Sequence, residues 1–226
     1  MKILTALPLI VSCLLPCCSA AQGAVVGEKY QAPASRRVPQ FELVDGTLLD
    51  GVQELAKLQL VHLGIEEILQ NKFSDPPIAT PRFSVRLSNS TVGDILDALC
   101  QYDGRYAWSA DGASLNVYPR ARMEDPSYML NRHLIRITVE AIPDPDKALL
   151  FLDRQLPSPR EHFGYIAVGG DDRYPSPWTA SFENMTVRQF INRVAEHMGA
   201  QSTWILQGSN DEKLFSFHTG AFGLIR

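Results

Sequence analysis

The fold is decided by a stretch that occurs twice in the chain, Phe83-Ser-Val-Arg-Leu-Ser-Asn-Ser-Thr-Val92 and, 95 positions later, Trp178-Thr-Ala-Ser-Phe-Glu-Asn-Met-Thr-Val187. In the first part of both copies apolar residues alternate, which is the period of a half-buried strand. Apolar residues then recur at helical spacing, at positions 92, 95, 96 and 99 and again at 187, 190, 191 and 194. The repeat therefore predicts two units of the same architecture.

Each copy carries the same polar pair where its strand ends, Asn89 with Thr91 and Asn184 with Thr186. A threonine hydroxyl at the start of a helix accepts a hydrogen bond from an early helical amide. We therefore predict that Thr91 and Thr186 cap the two helices. Both triplets also fit a glycosylation sequon, but helix capping explains them better.

The similarity extends on both sides of this stretch. Upstream, residues 41–58 correspond to residues 137–152, and His62-Leu-Gly64 recurs as His162-Phe-Gly164 after an insertion in a surface loop. Downstream, Trp108 and Trp204 fall at equivalent positions, where we expect them to cap the core. Each copy is thus predicted to have the order β-α-β-β-α-β-β. The predicted fold class is α+β, as two tandem small domains, each with two helices packed on small mixed sheets.

The N-terminal segment differs in composition from the repeats. A basic start is followed by an apolar stretch that is too short to span a membrane comfortably, and then by small residues. This pattern predicts a cleaved signal peptide, with an uncleaved anchor, or a lipoprotein modified at Cys13 or Cys17, as alternatives. The resulting organisation is a signal peptide at 1–21, a polar lead-in at 22–40, domain 1 at 41–119, a linker at 120–132, domain 2 at 133–220 and a tail at 221–226.

Charge and cysteine content narrow the function classes. The chain has 21 basic and 25 acidic residues, for a net charge of −4, and no run of basic residues. A nucleic-acid surface needs clustered lysine and arginine, so we expect no nucleic-acid partner. Cys100 is the one cysteine outside the predicted signal peptide. The mature chain would then form no intrachain disulfide, and Cys100 is interpreted as a small buried thiol.

The sequence indicates no arrangement for catalysis, so we assign no catalytic, cofactor-binding or metal-binding residue and expect no cofactor. Gly169-Gly170 reads as a turn that leaves a strand rather than a phosphate-binding loop. The acid pairs Glu66-Glu67 and Asp171-Asp172 follow strands, where neighbouring side chains point to opposite faces. The five histidines lack the helical spacing of a two-ligand metal site, and His62 is interpreted as structural.

A set of core and capping positions carries a family resemblance. In the first copy these are Phe41-Glu-Leu, Leu48-x-x-Gly-Val-x-x-Leu55, Phe83-x-Val-x-Leu-x-Asn-x-Thr-Val-x-x-Ile-Leu-x-x-Leu99 and Tyr106-Ala-Trp…Leu115-Asn-Val-Tyr118. With this pattern each copy resembles the short N-terminal domain of secretins and TonB-dependent receptors, known as STN. The second copy departs from it, with Ile142-Pro-Asp-Pro145 in place of the first turn and a longer middle loop.

The resemblance implies an exported, non-enzymatic module of the bacterial envelope that binds or assembles other proteins. In secretins such domains contact secretion or pilus components, and in signalling receptors they contact a membrane-anchored regulator. The expected location is the periplasm, with lipoprotein anchoring or secretion as alternatives. The expected partner is another envelope protein or the chain itself, with no membrane span in the mature chain and with binding residues unknown. Exposed sheet edges are the expected means of binding, either by accepting a partner strand or, as in ring-forming relatives, by pairing between copies of the chain.

A second hypothesis belongs to a different function class. A small hydrolase-like enzyme could have its site between the two repeats, built from His62, His162 and nearby acids. The repeat pairs these histidines, but no triad or metal-ligand spacing accompanies them.

Overall fold

A computed structural model describes residues 32–58, 61–72, 74–76, 78–155, 163–167, 176–199, 202–209 and 213–218, with the backbone alone for 163–167. The predicted signal peptide and tail, most of the lead-in, His162, Gly169-Gly170 and Asp171-Asp172 lie outside these residues.

Four helices and ten strands in the described residues make this an α+β protein, as predicted. The first copy, residues 32–119, contains β1 (Arg37–Gly46), α1 (Leu48–Lys57), β2 (His62–Glu66), β3 (Phe83–Thr91), α2 (Val92–Tyr102), β4 (Tyr106–Asp111) and β5 (Ser114–Pro119). The second copy, residues 128–218, contains β6 (His133–Ile142), α3 (Pro145–Asp153), β7 (Phe163–Ala167), β8 (Trp178–Thr186), α4 (Val187–His197), β9 (Thr203–Gly208) and β10 (Lys213–His218).

The repeated polar pair fixes the junction between strand and helix in both copies. Thr91 and Thr186 are the N-caps of α2 and α4, as predicted, and each forms a reciprocal capping box with the third helical residue. Asn89 and Asn184 have φ angles of 50° and 52°, in the left-handed region. Asparagine tolerates this conformation better than most residues. The repeated asparagine thus turns the chain, and the threonine caps the helix.

The turn that precedes the first strand of each copy also belongs to the repeat. Short 3-10 turns, Pro33–Ser35 and Met129–Asn131, contact α2 and α4 respectively. Immediately after them, the carbonyls of Arg36 and Arg132 accept the first amides of α2 and α4, both at 3.0 Å. The predicted first strand began at position 41, but β1 begins at Arg37. The sequence prediction missed residues 37–40 because Val38 is the one buried residue among them, which is too few to show a period of two.

The strands form three sheets. β1 pairs with β3, and β6 with β8, as separate antiparallel two-stranded sheets. The other six strands form one sheet in the order β4-β5-β2-β9-β10-β7. Both copies contribute three strands to it, joined by parallel pairing of β2 with β9. Residues Gln31–Arg226 accordingly form one compact unit.

The faces of β2 and β9 contribute to different cores. Leu63 and Ile65 of β2 lie in the first core together with Ile205 of β9, whereas Trp204 and Leu206 of β9 lie in the second. Helix α1 contacts β2, as does α4 from the second copy. The pairing of β2 with β9, called here the joint, is therefore covered by side chains of both copies.

The sequence match between His62-Leu-Gly64 and His162-Phe-Gly164 does not correspond to the same place in the two ladders. In the first copy Leu63 pairs with Leu115, whereas in the second Phe163 pairs with Lys213, and Tyr165 pairs with Phe215. Strand β7 is thus displaced by two residues relative to β2. A shift of two preserves the alternation of faces, so the apolar pattern could not reveal it.

Candidate binding surface at the free sheet edge

Gly64 of β2 pairs with Trp204 of β9 in the joint. A Cβ atom at Gly64 would lie 2.5 Å from Cε2 of Trp204 and 2.5 Å from Oδ1 of Asn116. Only glycine therefore leaves room for the indole ring. As a result Trp204 is 1% exposed. Its indole Nε1 donates to Oδ1 of Asn192 on α4 at 2.8 Å.

A buried ion pair crosses the joint beside this contact. Arg188 of α4 donates to both carboxylate oxygens of Glu66 in β2, with Nε 2.5 Å from Oε1 and Nη2 3.2 Å from Oε2. Its Nη1 donates to Oδ1 of Asn131 at 2.7 Å. The Glu66 side chain is fully buried. Burial raises the pKa of Glu66, and the guanidinium of Arg188 acts against that shift.

Polar side chains also link the copies at the start of β2. The ring Nδ1 of His62 lies 3.1 Å from the hydroxyl of Ser202, and the hydroxyl of Ser114 donates to Glu196 at 2.8 Å. Burial lowers the pKa of His62, with Glu196 and Ser202 opposing the shift and Arg36 adding to it. The sequence prediction of a structural His62 fits this position in the joint.

At one end of the six-stranded sheet, β4 pairs with β5 alone within the described residues. Trp108 of β4 matches Trp204, and its indole Nε1 donates to Oδ1 of Asp97 on α2 at 2.7 Å. Asp97 and Asn192 occupy the same position of their helices, six residues after the N-cap. Trp108, unlike Trp204, remains partly exposed. The two indoles thus make the same helix contact, but a neighbouring strand covers only one.

The ladder identifies the backbone groups of β4 that face away from β5. The amide of Arg120 donates to the carbonyl of Arg105 at 2.6 Å, immediately beyond the paired strands. Directly bonded pairs alternate along an antiparallel ladder. The amides and carbonyls of Trp108 and Ala110 therefore point away from β5, toward the free edge.

The matching groups of the second copy are used in the joint. The carbonyl of Leu206, which corresponds to Ala110, accepts the amide of Glu67 at 2.9 Å. The carbonyl of Ser202 likewise accepts the amide of Leu63 at 3.4 Å. The first copy thus presents at β4 the backbone groups with which the second copy binds a parallel strand.

A groove of about 400 Å³ lies beside Trp108 along this edge. Its other lining residues include Asp97, Gln101, Arg120 and Met123, and Met123 is half exposed. The β4 edge, Trp108 and this groove together form the candidate surface, named here the β4 surface. An incoming strand could satisfy its backbone at β4 and pack side chains into the groove.

A separate cleft of about 660 Å³ lies between the end of β2 and residues 119–122. Two of the arginines that line the cleft form hydrogen bonds within the fold. Arg120 donates to the carbonyl of Gly104 at 3.1 Å, and Arg105 donates to Asp103 at 2.7 Å. Burial raises the pKa of Glu67, which also lines the cleft. Arg105 and Arg120 are thus engaged in hydrogen bonds of the fold, and Glu67 is the one carboxylate among the described residues that line the cleft.

The structure places His62, Glu66 and Glu67 of the enzyme hypothesis, whereas His162 is not among the described residues. His62 begins β2, whereas His162 lies outside the described residues and precedes β7, and β9 and β10 lie between these strands. Glu66 binds Arg188, whereas its neighbour Glu67 lines the cleft, so this acid pair is not a dyad. Strand order therefore gives the enzyme hypothesis no support.

Three further features bear on function: the free cysteine, possible metal ligands and the length of the helices. Cys100 is buried, and burial raises its pKa to about 11, which disfavours the reactive thiolate. The described residues include no cluster of histidine, cysteine and acidic side chains that could hold a metal ion. Among the helices of the same part of the chain, none is long and apolar enough to cross a membrane.

The sequence led us to expect binding at exposed sheet edges but did not identify the β4 surface, because strand pairing between the copies leaves no local pattern. The one available signal was Gly64, since a glycine inside a strand often marks a close approach of another group. No protein-family model, curated protein or solved structure matches this chain. The STN resemblance therefore stays a prediction.

Proposed function

We propose that this protein is an exported, non-enzymatic binding or assembly module of the bacterial envelope, which binds a polypeptide partner at the β4 surface. The observation that carries the proposal is the contrast between two equivalent strands. Strand β9 binds β2 in parallel and covers Trp204, whereas β4 presents the same backbone groups beside a partly exposed Trp108.

The chemistry of the β4 surface favours a protein partner. Outward amides and carbonyls at the end of a sheet are satisfied by an extended peptide, which adds a strand by main-chain hydrogen bonds. An aromatic ring beside that edge then supplies apolar contact area. The export and envelope part of the proposal rests on the signal-like N-terminal segment and on the STN resemblance.

The polar groups of the joint support a non-catalytic interpretation. The Ser202 hydroxyl beside His62 is fully buried and donates to the carbonyl of Ala195. A serine nucleophile must reach a substrate and give its proton to the base. Ser202 instead joins α4 to β9, and His62 joins β2 to Ser202.

The proposal is tested by a change in the free backbone of β4. Ala110→Pro removes an outward amide on an exposed edge residue, where proline is structurally tolerated. Ala110→Thr is the matched control, because it adds side-chain volume but keeps the amide. Purified wild type and both variants would be incubated with envelope extract of the source bacterium, and the retained proteins identified by mass spectrometry.

We expect wild type and Ala110→Thr to retain the same partner, and Ala110→Pro to lose it. Circular dichroism and a urea unfolding curve establish that the proline variant is folded. Retention of the same proteins by all three forms, or specific retention by none, would contradict binding at the β4 surface.

A further inference from the structure

The joint connects two different kinds of sheet edge. The first copy contributes β2, and the second contributes β9, the strand that corresponds to β4. Such a heterologous contact leaves one edge of each kind unused. Within the described residues those edges are β4 at one end of the sheet and β7, the counterpart of β2, at the other.

Strand directions permit the two unused edges to pair as the joint does. β5, β2 and β9 are mutually parallel, and β4 runs antiparallel to β5. β10 runs antiparallel to β9, and β7 is parallel to β10. β4 and β7 therefore run in the same direction. If the sheet of one molecule continues into the sheet of the next, β7 of one molecule lies beside β4 of its neighbour. The two strands are then parallel, as β2 and β9 are in the joint.

The glycine that accommodates the tryptophan in the joint has a match in the sequence of β7, Gly164, although Ile166 takes its place in the ladder. Gly64 lies between apolar Leu63 and Ile65, and Gly164 lies between Phe163 and Tyr165. Gly64 lies on the face of β2 opposite the first core, which contains both of its neighbours.

In the second copy Gly164 pairs with Leu214, and Phe215, the next residue of β10, belongs to the second core. Because successive positions alternate between faces, Gly164 also lies on the face away from its own core. It can therefore lie opposite a tryptophan from the next molecule as Gly64 does opposite Trp204.

We infer that the partner at the β4 surface is a second copy of this chain, whose β7 adds in parallel to β4 with Gly164 opposite Trp108. The inference rests on the proposed function and names its partner. A heterologous contact of this kind continues from molecule to molecule, so the product is an open chain or a closed ring. Because β7 is displaced by two residues, the β4–β7 pairing that places Gly164 opposite Trp108 has a register two residues away from that of the joint. A shift of two residues keeps the same faces of the strands together.

The test uses two variants that each block one edge of the purified chain. Ala110→Pro blocks β4, and Gly164→Val adds a side chain opposite Trp108 while introducing a residue type that is favoured in strands. Multi-angle light scattering would measure the mass as a function of protein concentration. Wild type and the control Ala110→Thr should form species at least twice the monomer mass, whereas each blocked variant alone should be monomeric.

A mixture of the two blocked variants gives the sharpest outcome. Ala110→Pro retains an intact β7, and Gly164→Val retains an intact β4. One molecule of each variant can therefore form a single β4–β7 contact, and neither can bind a third molecule. We expect the mixture to give a dimer that does not grow with concentration. Growth beyond the dimer, or a mixture that stays monomeric while wild type assembles, would overturn the β4–β7 assignment.

The same proteins distinguish failure of this inference from failure of the proposed function. A wild-type chain that stays monomeric up to its solubility limit overturns self-assembly. If it still retains an envelope protein in an Ala110-dependent manner, the β4 surface binds a different polypeptide and the proposed function stands. If neither assembly nor retention depends on Ala110, both proposals fail. Should Gly164→Val not fold, Ala110→Pro and its threonine control decide alone.

Discussion

Trp108 and Trp204 occupy the same place in two copies of one architecture, yet their surroundings differ on one side. Both donate their indole N–H to the same position of a helix, at 2.7 Å and 2.8 Å. Trp204 is then covered by β2 and is 1% exposed, whereas Trp108 remains partly exposed. The full burial of this tryptophan therefore comes from the neighbouring strand of the other copy.

The largest expected effect comes from truncating each tryptophan in turn. Trp204→Ala should lower the free energy of unfolding by about 3–5 kcal/mol, because it opens a cavity between the second core and β2. Trp108→Ala should cost clearly less, because part of its ring is already in solvent. Urea unfolding of the purified chain, at a concentration where it is monomeric, measures both values. Equal losses would contradict the comparison.

The buried ion pair between Glu66 and Arg188 provides a second test of what stabilises the joint. Arg188→Ala leaves the fully buried Glu66 carboxylate without its guanidinium, which typically costs about 3–5 kcal/mol. The control is Arg136→Ala, because Arg136 and Glu183 are 4.0 Å apart with both side chains mostly exposed. Such a surface pair contributes about 0–1 kcal/mol. Urea midpoints that shift equally for both variants would show that the joint does not depend on this ion pair.

Gly64 tests the steric side of the comparison. Gly64→Ala places a methyl group against the Trp204 ring, and overpacking of this kind costs about 1–3 kcal/mol. Gly104→Ala is the control, because a Cβ atom there meets no atom within 4 Å. Thermal unfolding followed by circular dichroism compares the two variants. A loss for Gly64→Ala no greater than for Gly104→Ala would remove the argument that a tryptophan at this edge requires glycine opposite it.

The elements of each copy could be predicted because their signals are local. Alternation predicted β3 and β8, helical spacing predicted α2 and α4, and the threonines Thr91 and Thr186 marked the caps. These features depend on residues within one or two turns of each other. The sequence was thus sufficient for the α+β class.

The joint could not be predicted because it depends on residues far apart in the chain. Gly64 and Trp204 meet across the two copies, and neither strand carries a local mark of its partner. The repeat itself was misleading at β7, where an apolar-glycine-apolar match lies two residues away from its counterpart in the ladder. The β4 surface is visible only by comparison with the joint, so it required the structure.

The smallest expected effect concerns the pH dependence of the joint through His62. Its pKa lies below the usual 6.5 because of burial, so the folded state holds the proton less tightly than the unfolded state. As pH falls through about 6.5 the unfolded chain gains a proton first, and the free energy of unfolding decreases until the folded-state pKa is passed. His62 should therefore contribute a loss of stability on mild acidification, whereas the raised pKa values of Glu66 and Glu67 act in the opposite sense at lower pH.

His62→Gln should remove that part of the pH dependence, because glutamine can still hydrogen-bond with Ser202 but does not titrate in this range. His133→Gln is the control, since His133 begins β6 with an exposed side chain. Urea midpoints measured between about pH 8 and about pH 5 should change less with pH in His62→Gln than in wild type or the control. Identical profiles for all three would mean that the environment of His62 does not change on folding. His62 would then contribute nothing to the pH dependence of the free energy of unfolding.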